Sequence, residues 1–325
     1  MVTGFWKNLP KPIYCLAPMA NVTDAAFRRI IAKYGKPDIM WTEFVSCDGL
    51  CSSGKDALLV DLAYSEAERP IVAQIFGSKP DNFYKTALLI QEFGFDGIDI
   101  NMGCPDRSVE KQCAGAAMMK NPKLAQECIR ATQKGAGALP VSVKTRTGYN
   151  KNQLAEWLPA LLETGLAAIT IHARTRKEMS LVPARWEDIA QAVKLRDSFD
   201  NSPTKTLILG NGDVKDLADA ELKIKQTGAD GVMIGRGIFG NPWLFARHSP
   251  SVEEKLRVMA EHTHLFEKLL GDKKSFDIMK KHYKAYVNGF DGAKELRIKL
   301  MAAKTADEVE NVVNEHFLAP SLDKI

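Results

Sequence analysis

The chain has 325 residues, of which 45% are hydrophobic and 26% charged, and its net charge is +4. This composition is typical of globular proteins and excludes a disordered or fibrous chain. The mean hydropathy is -0.19, no apolar run reaches the roughly 18 residues of a membrane span, and residues 1–12 show no secretory pattern. We therefore expect a soluble, cytoplasmic protein with no membrane partner.

The six cysteines include no CxxC pair, and the histidines of His262-x-His264 have no further ligands close by in the sequence. A chain of this length buries a sufficient core without covalent links. We therefore expect neither a disulfide framework nor a metal site.

A short apolar run followed by a helical stretch repeats eight times, with starts 25 to 44 residues apart. That spacing is typical of βα units, and runs without alternation suit strands buried on both faces. The runs are Ile13–Ala20, Ile39–Phe44, Ile71–Phe76, Gly97–Gly103, Val141–Arg146, Ala167–Arg174, Thr206–Asp213 and Gly231–Gly237. Proline and glycine signals predict intervening helices such as 82–93, 123–134 and 153–163. Eight consecutive units predict an α/β fold, a (β/α)8 TIM barrel over residues 1–245.

Residues 246–325 have apolar positions at helical spacing and no strand pattern, so we expect a small all-helical domain. Between Lys268 and Lys304 the chain has ten basic and four acidic residues, a surplus larger than the net charge of the whole chain. This surplus suits either a solvated helix face or contact with nucleic acid.

The loops after the carboxyl ends of barrel strands form the active site in proteins of this fold. All eight apolar runs end in residues that are charged, form hydrogen bonds or expose the backbone. These residues are Pro18, Met19 and Ala20; Glu43; Gln74; Asp99, Asn101 and Cys104; Lys144 and Arg146; His172 and Arg174; Asn211, Gly212 and Asp213; and Gly235 and Arg236.

The glycines after the last two runs predict a phosphate site. Gly235-x-Gly237-x-x-Gly240 matches a dinucleotide fingerprint, but no strand–helix–strand unit follows it, and we reject that interpretation. In a barrel, bare N–H groups after these strands instead hold one phosphate monoester, with Arg236 as a cation.

Lys144 and His172 end neighbouring runs and would face a planar ring such as a flavin, whose reduced form a lysine stabilises. Lys144 could instead form an ion pair with Glu43 at the barrel rim, and His172 could have a purely structural role.

Cys104 lies between Gly103 and Pro105, where a neutral thiol can donate a proton. Its alternative is a small buried residue.

Several of these segments together resemble the tRNA-dihydrouridine synthase family. They lie in order within residues 12–245, and residues 281–297 are similar to the family's helical tRNA-binding domain. The segments are Ala17–Ala20 with Thr23-Asp24 and Phe27-Arg28, Asp99–Pro105, Val143–Gly148, Ile171–Arg176, Asn211–Asp213 and Gly235–Gly237.

The resemblance implies an FMN-bound barrel that uses NADPH or NADH to reduce a uridine of tRNA. Hydride passes from flavin N5 to C6, and Cys104 is implied as the acid that protonates C5. The implied FMN contacts are Pro18, Met19, Ala20, Gln74, Lys144, His172, Asn211, Gly212, Asp213, Gly235 and Arg236, and the expected substrate contacts are Asn101, Arg146 and Arg174.

The uridine must be extruded from its stack to reach a barrel mouth. Basic helices that carry Tyr283, Tyr286 and Phe290 suit stacking and backbone contacts with tRNA, and we expect a monomer. A small-molecule FMN oxidoreductase of the dihydroorotate dehydrogenase type and a non-catalytic RNA-binding protein are the alternatives.

The chain departs from the usual family pattern at four positions. Asn21, Ala173 and Cys113 stand where the family usually has glycine, and Ser108 occupies a commonly basic position. Cys104 and Cys113 therefore share one loop.

Overall fold

The computed structural model describes residues 3–199 and 205–318. Residues 1–2 and 200–204 of the predicted barrel, and 319–325 of the predicted helical domain, lie outside this range. The strands are β1 (Ile13–Leu16), β2 (Met40–Trp41), β3 (Val45–Ser46), β4 (Ile71–Phe76), β5 (Gly97–Met102), β6 (Val141–Arg146), β7 (Ala168–His172), β8 (Leu207–Asn211) and β9 (Gly231–Ile234).

The strands form one parallel sheet in the order β1-β9-β8-β7-β6-β5-β4-β2, with β3 also beside β4. A bridge between Cys15 and Ile39 joins the two ends of this order. The sheet is therefore a nearly closed barrel with eight strand positions, and the predicted TIM-barrel fold is confirmed.

The predicted second strand, Ile39–Phe44, is broken into β2 and β3. Between them the backbone N–H of Thr42 still donates to Val72 O at 3.0 Å, and its hydroxyl accepts from the N–H of Gln74 at 3.1 Å. The polar ends of several other predicted runs also lie beyond their strands, in the loops at the barrel mouth.

The helices alternate with the strands through the barrel and then follow one another. They are α1 (Ala25–Tyr34), α2 (Cys47–Leu50), α3 (Lys55–Leu58), α4 (Pro80–Glu92), α5 (Arg107–Glu110), α6 (Pro122–Ala136), α7 (Leu154–Leu162), α8 (Trp186–Phe199), α9 (Leu217–Thr227), α10 (Val252–Leu270), α11 (Met279–Tyr286), α12 (Ala293–Ala302) and α13 (Ala306–Leu318). Helices α4, α6 and α7 confirm the three predicted ones. Asn121 caps α6 by accepting from the N–H of Leu124 at 3.1 Å.

The barrel buries side chains on both faces of its strands. Every residue of β4 and β5 is buried, as a parallel sheet covered by helices requires. An inner cluster includes Cys15, Trp41 and Met233, and Trp6 of the first 3-10 turn packs against it. A larger apolar cluster, which includes Ile75, Ile100 and Phe83, packs the strands against the surrounding helices.

Helices α10 to α13 build their own apolar cluster, which includes Phe266, Leu296 and Val309 and extends to Ala26 and Ile30 of α1. The division of the chain into two domains at residue 245 stays a prediction. None of the helices in the described residues combines the length and apolarity needed to cross a membrane.

The two histidines of the HxH pair face different surroundings. His262 is fully buried, with its ring 5.1 Å from that of Phe27. His264 is partly exposed, and its Nε2 lies 2.8 Å from Glu310 Oε2. Residues two apart on a helix point in different directions, so this pair does not form a shared site.

Candidate active site at the barrel mouth

A cavity of about 290 Å³ opens at the carboxyl ends of β1 and β6 to β9. It brings together the predicted cofactor contacts except Ala20 and Gln74. The lining residues are Ala17, Pro18, Met19, Lys144, His172, Arg174, Ser180, Asn211, Gly212, Asp213, Val214, Met233, Gly235 and Arg236. Sequence reasoning missed Ser180, which lies in the loop after β7 and belongs to no motif.

The cavity floor at β8 and β9 suits a phosphate group. Gly212 has φ +121 and a Cβ there would lie 2.9 Å from Ala184 Cβ, so only glycine fits. A Cβ at Gly235 would make ordinary contacts with Met19 Sδ at 3.5 Å and Ala17 Cβ at 3.6 Å and would occupy cavity space. The backbone N–H groups of Gly212, Asp213 and Gly235 donate to no other group in the described part of the chain. Free N–H groups are what an oxyanion needs, and at Gly212 and Gly235 no side chain obstructs its approach.

Lys144 is the central cation of the cavity. Its Nζ donates to Asn211 Oδ1 at 3.2 Å, and Asn211 is oriented because its Nδ2 donates to Met233 O at 2.7 Å. Burial, with Arg146 nearby, lowers the pKa of Lys144 to about 8, against the attraction of Asp99. Such a perturbed cation in a cleft is typical of a functional site.

The alternative ion pair between Lys144 and Glu43 is wrong. Glu43 accepts instead from Lys274 at 2.5 Å and from the backbone N–H of Asn21. Lys274 also pairs with Asp61 at 2.6 Å. Glu43 therefore links the barrel to the segment before α11, and among the described residues no carboxylate accepts a hydrogen bond from Lys144.

The loop that carries Cys104 is held from two sides. Asn101 Oδ1 accepts from the backbone N–H groups of Gly103 at 3.1 Å and Cys104 at 2.9 Å. Arg146 Nε donates to Gly103 O at 2.8 Å. The thiol does not line the cavity, but Asn101 on β5 is in register with Lys144 on β6. Burial raises the pKa of Cys104, so the thiol is neutral at pH 7 and retains its proton.

A buried chain of side chains supports this loop. Gln74 Nε2 donates to Asp99 Oδ2 at 2.7 Å, and Asn101 Nδ2 donates to Gln74 Oε1 at 3.1 Å. Burial raises the pKa of Asp99 to about 6. Gln74 is fully buried, Ala20 is exposed, and neither residue lines the cavity. Their roles as cofactor contacts stay predictions, as does a substrate contact by Asn101.

The two predicted substrate arginines are largely engaged with the protein. Arg146 Nη1 donates to Thr175 O at 3.1 Å and Met179 O at 2.9 Å. Arg174 is 2% exposed and its Nε donates to Val182 O at 2.5 Å. Both hold the loop after β7, and their contact with substrate stays a prediction.

Two departures from the family pattern have a backbone explanation. Asn21 has φ 53 and Cys113 has φ 56, both in the left-handed region where glycine is the usual residue. Asparagine tolerates this region better than most residues. The loops thus keep the backbone shape that glycine usually provides. Ser108 N–H donates to Asp106 Oδ1 at 2.8 Å and so completes the turn into α5.

The basic stretch between Lys268 and Lys304 has only some of its side chains available to bind a ligand. Lys281 Nζ donates to Asn21 O at 2.6 Å and Lys280 pairs with Asp277 at 2.6 Å, whereas Lys284 is exposed. Tyr283 and Tyr286 are both 0% exposed and belong to the helical core. The prediction that these two rings stack on RNA is wrong, because their helical spacing serves the apolar face of α11.

A nearly closed parallel barrel with a polar cavity at its carboxyl strand ends is the architecture of TIM-barrel enzymes. The chain belongs to the dihydrouridine synthase family, whose model, described as "Dihydrouridine synthase (Dus)", matches residues 15–320. The protein named "Probable tRNA-dihydrouridine synthase 2" of Bacillus subtilis (strain 168) is 41% identical over 320 residues, which cover 97% of each chain. A "Probable tRNA-dihydrouridine synthase" of Staphylococcus aureus (strain MRSA252) is 40% identical over 97% of this chain and 96% of its own.

Solved structures confirm the fold. Morphinone reductase in complex with tetrahydroNAD superposes with a TM-score of 0.51 over 76% of this chain and 88% of its own, at 14% identity. The 2-naphthoyl-CoA reductase complex gives 0.51 over 72% of this chain and 49% of its own, at 12% identity. At such low identity the likeness concerns the barrel alone.

Proposed function

We propose that this protein reduces a specific uridine of tRNA to 5,6-dihydrouridine, with FMN as bound cofactor and NADPH or NADH as reductant. The observation that carries the proposal is the cavity in which free backbone N–H groups and Lys144 lie beside a loop with the neutral thiol of Cys104. The choice of tRNA as substrate rests on the names of the relatives, which are named tRNA-dihydrouridine synthases.

The residues of the cavity fit FMN. The N–H groups of Gly212 and Gly235 and the Arg236 guanidinium would hold its phosphate. Lys144 and His172 would face the pyrimidine end of its ring. Bound FMN would supply the hydride for uracil C6, after taking it from the nicotinamide cofactor.

The protein then has to supply the proton. Reduction of the C5–C6 bond consumes one hydride and one proton, and Cys104 would give its thiol proton to C5. A thiol whose pKa is raised by burial stays protonated until the base arrives. Asn101 holds this thiol in place through the backbone N–H of Cys104.

Lys284 is proposed as a contact with the tRNA backbone. We expect Lys284→Glu to weaken tRNA binding and to reduce the salt dependence of the dissociation constant by about one ion, because one phosphate contact is lost. Binding is measured by filter retention at several salt concentrations. Lys225→Glu makes the same charge change on the exposed face of α9 and should bind as wild type. If Lys284→Glu and the wild type bind tRNA with equal affinity, Lys284 is only a solvated surface residue and does not contact the tRNA.

The function is tested with purified protein, NADPH and tRNA transcribed without modifications. We expect yellow protein that releases FMN on denaturation, and a gain of two hydrogen atoms in mass at one uridine. Colourless protein that leaves the tRNA mass unchanged would contradict the proposal. Reduction of orotate or enones without RNA would favour the small-molecule alternative, and tRNA binding with a flavin that NADPH never reduces would favour the non-catalytic one.

A further inference from the structure

His172 and Arg174 follow one another along the rim of the cavity with one residue between them. Arg174 Nη1 lies 3.0 Å from His172 Nε2. Both side chains line the cavity, and Arg174 is 2% exposed. The arginine therefore contacts the histidine edge-on, inside the site.

The chemistry of the two groups fixes the direction of this hydrogen bond. A guanidinium has N–H donors and no acceptor, so Nε2 of His172 must accept. A neutral imidazole with a lone pair on Nε2 carries its proton on Nδ1. Nδ1 makes no hydrogen bond within residues 3–199 and 205–318 and is not among the fully buried unpartnered atoms there, and the His172 side chain lines the cavity.

Asp213 holds the arginine in this position. Its carboxylate accepts from Arg174 Nη2, from Arg236 Nη2 at 2.6 Å and from the backbone N–H of Ala184 at 2.9 Å. A free carboxylate would repel a phosphate, whereas this one is covered by two guanidinium groups. Asp213 therefore contributes to the site through the two arginines that it orients.

We propose that Arg174, oriented by Asp213, is a positioning residue that fixes His172 as the neutral tautomer with its proton on Nδ1, so that His172 donates a hydrogen bond into the cavity. The acceptor, an oxygen or nitrogen of the flavin pyrimidine, rests on the proposed function. The tautomer itself does not depend on it.

Burial and the positive charges around His172 keep it neutral. Burial, followed by the positive charges of Lys144, Arg146, Arg174 and Arg236, holds the pKa of His172 far below its ordinary value. A protonated imidazole would lose its acceptor for Arg174 and add one more positive charge to the cluster. A fixed N–H donor beside Lys144 supplies polarity without that charge.

The test reads the tautomer directly in the protein without added ligand. Nitrogen chemical shifts of protein labelled with ¹⁵N-histidine distinguish Nδ1–H from Nε2–H, and the spectrum of His172→Gln identifies the His172 signals. We expect Nδ1–H in the wild type and a mixture of tautomers in Arg174→Met. We also expect Arg174→Met to bind FMN about tenfold more weakly by fluorescence titration, the size of one hydrogen bond.

Arg196→Met is the matched control, because Arg196 is also buried and pairs with a carboxylate, that of Asp230 at 2.5 Å, away from the cavity. It should lose stability without changing the His172 signals or FMN affinity. If Arg174→Met does not fold, Asp213→Asn preserves the shape of the site, and it too should yield mixed tautomers.

The inference is overturned if the wild type shows Nε2–H. It is also overturned if a folded Arg174→Met or Asp213→Asn protein shows pure Nδ1–H. Protein that keeps Nδ1–H yet never forms dihydrouridine refutes the proposed function and leaves the inference standing.

Discussion

Replacing Cys104 by alanine is expected to slow tRNA uridine reduction by about two to four orders of magnitude, the usual contribution of a positioned general acid. Flavin binding should persist, because Cys104 does not line the cavity that we assign to FMN. Reduction of the bound flavin by NADPH, followed by its absorbance, should keep its wild-type rate. The tRNA-dependent reoxidation of the flavin should become slow.

Cys113→Gly is the matched control for this variant. Cys113 lies on the same loop but is exposed, and its φ of 56 is one that glycine adopts without strain. The control should keep full turnover. Full activity in Cys104→Ala, or an equal loss in both variants, would remove Cys104 from the mechanism.

The barrel and most of the cavity could be predicted because both follow from local patterns. Repeated apolar runs at βα spacing specify a parallel barrel, and the barrel gathers the residues at the run ends. Lys144, His172, Gly212 and Gly235 are far apart in sequence yet share one cavity for this reason.

Partners across the fold could not be predicted, because no local pattern encodes them. Lys274 reaches Glu43 across 231 residues of sequence, and the partner of Lys144 is Asn211 of β8. The contact between Lys144 and Asn211 depends on the register of the strands, and the contact between Lys274 and Glu43 depends on how the segment before α11 packs on the barrel. The sequence spacing of a tyrosine on a helix is the same whether its ring packs in a core or contacts RNA. The predicted RNA contact of Tyr283 and Tyr286 is wrong for this reason, since both rings are buried.

Replacing Lys144 by methionine is expected to stabilise the protein without cofactor while it impairs flavin binding. In the folded protein the pKa of Lys144 is about 8 and in the unfolded chain it is near the ordinary 10.5. The unfolded state therefore binds the proton more tightly, so the buried charge costs stability below pH 8, and the cost disappears as the pH rises toward 10.5. Because Lys144 faces a cavity that solvent enters, we expect a gain of about 1–3 kcal/mol at pH 7.

The same variant should bind reduced FMN about ten- to a hundredfold more weakly, the worth of a hydrogen bond from a charged donor. Differential scanning calorimetry of the protein without flavin from pH 6 to 10 tests the first effect, and redox titration with bound flavin tests the second. Lys274→Met should act in the opposite direction on stability. Burial alone would lower the pKa of Lys274, but Glu43 and Asp61 raise it, and its removal leaves two carboxylates unpaired. If both variants lower the melting temperature at pH 7, Lys144 is a structural cation rather than a charge held in the cavity for a ligand.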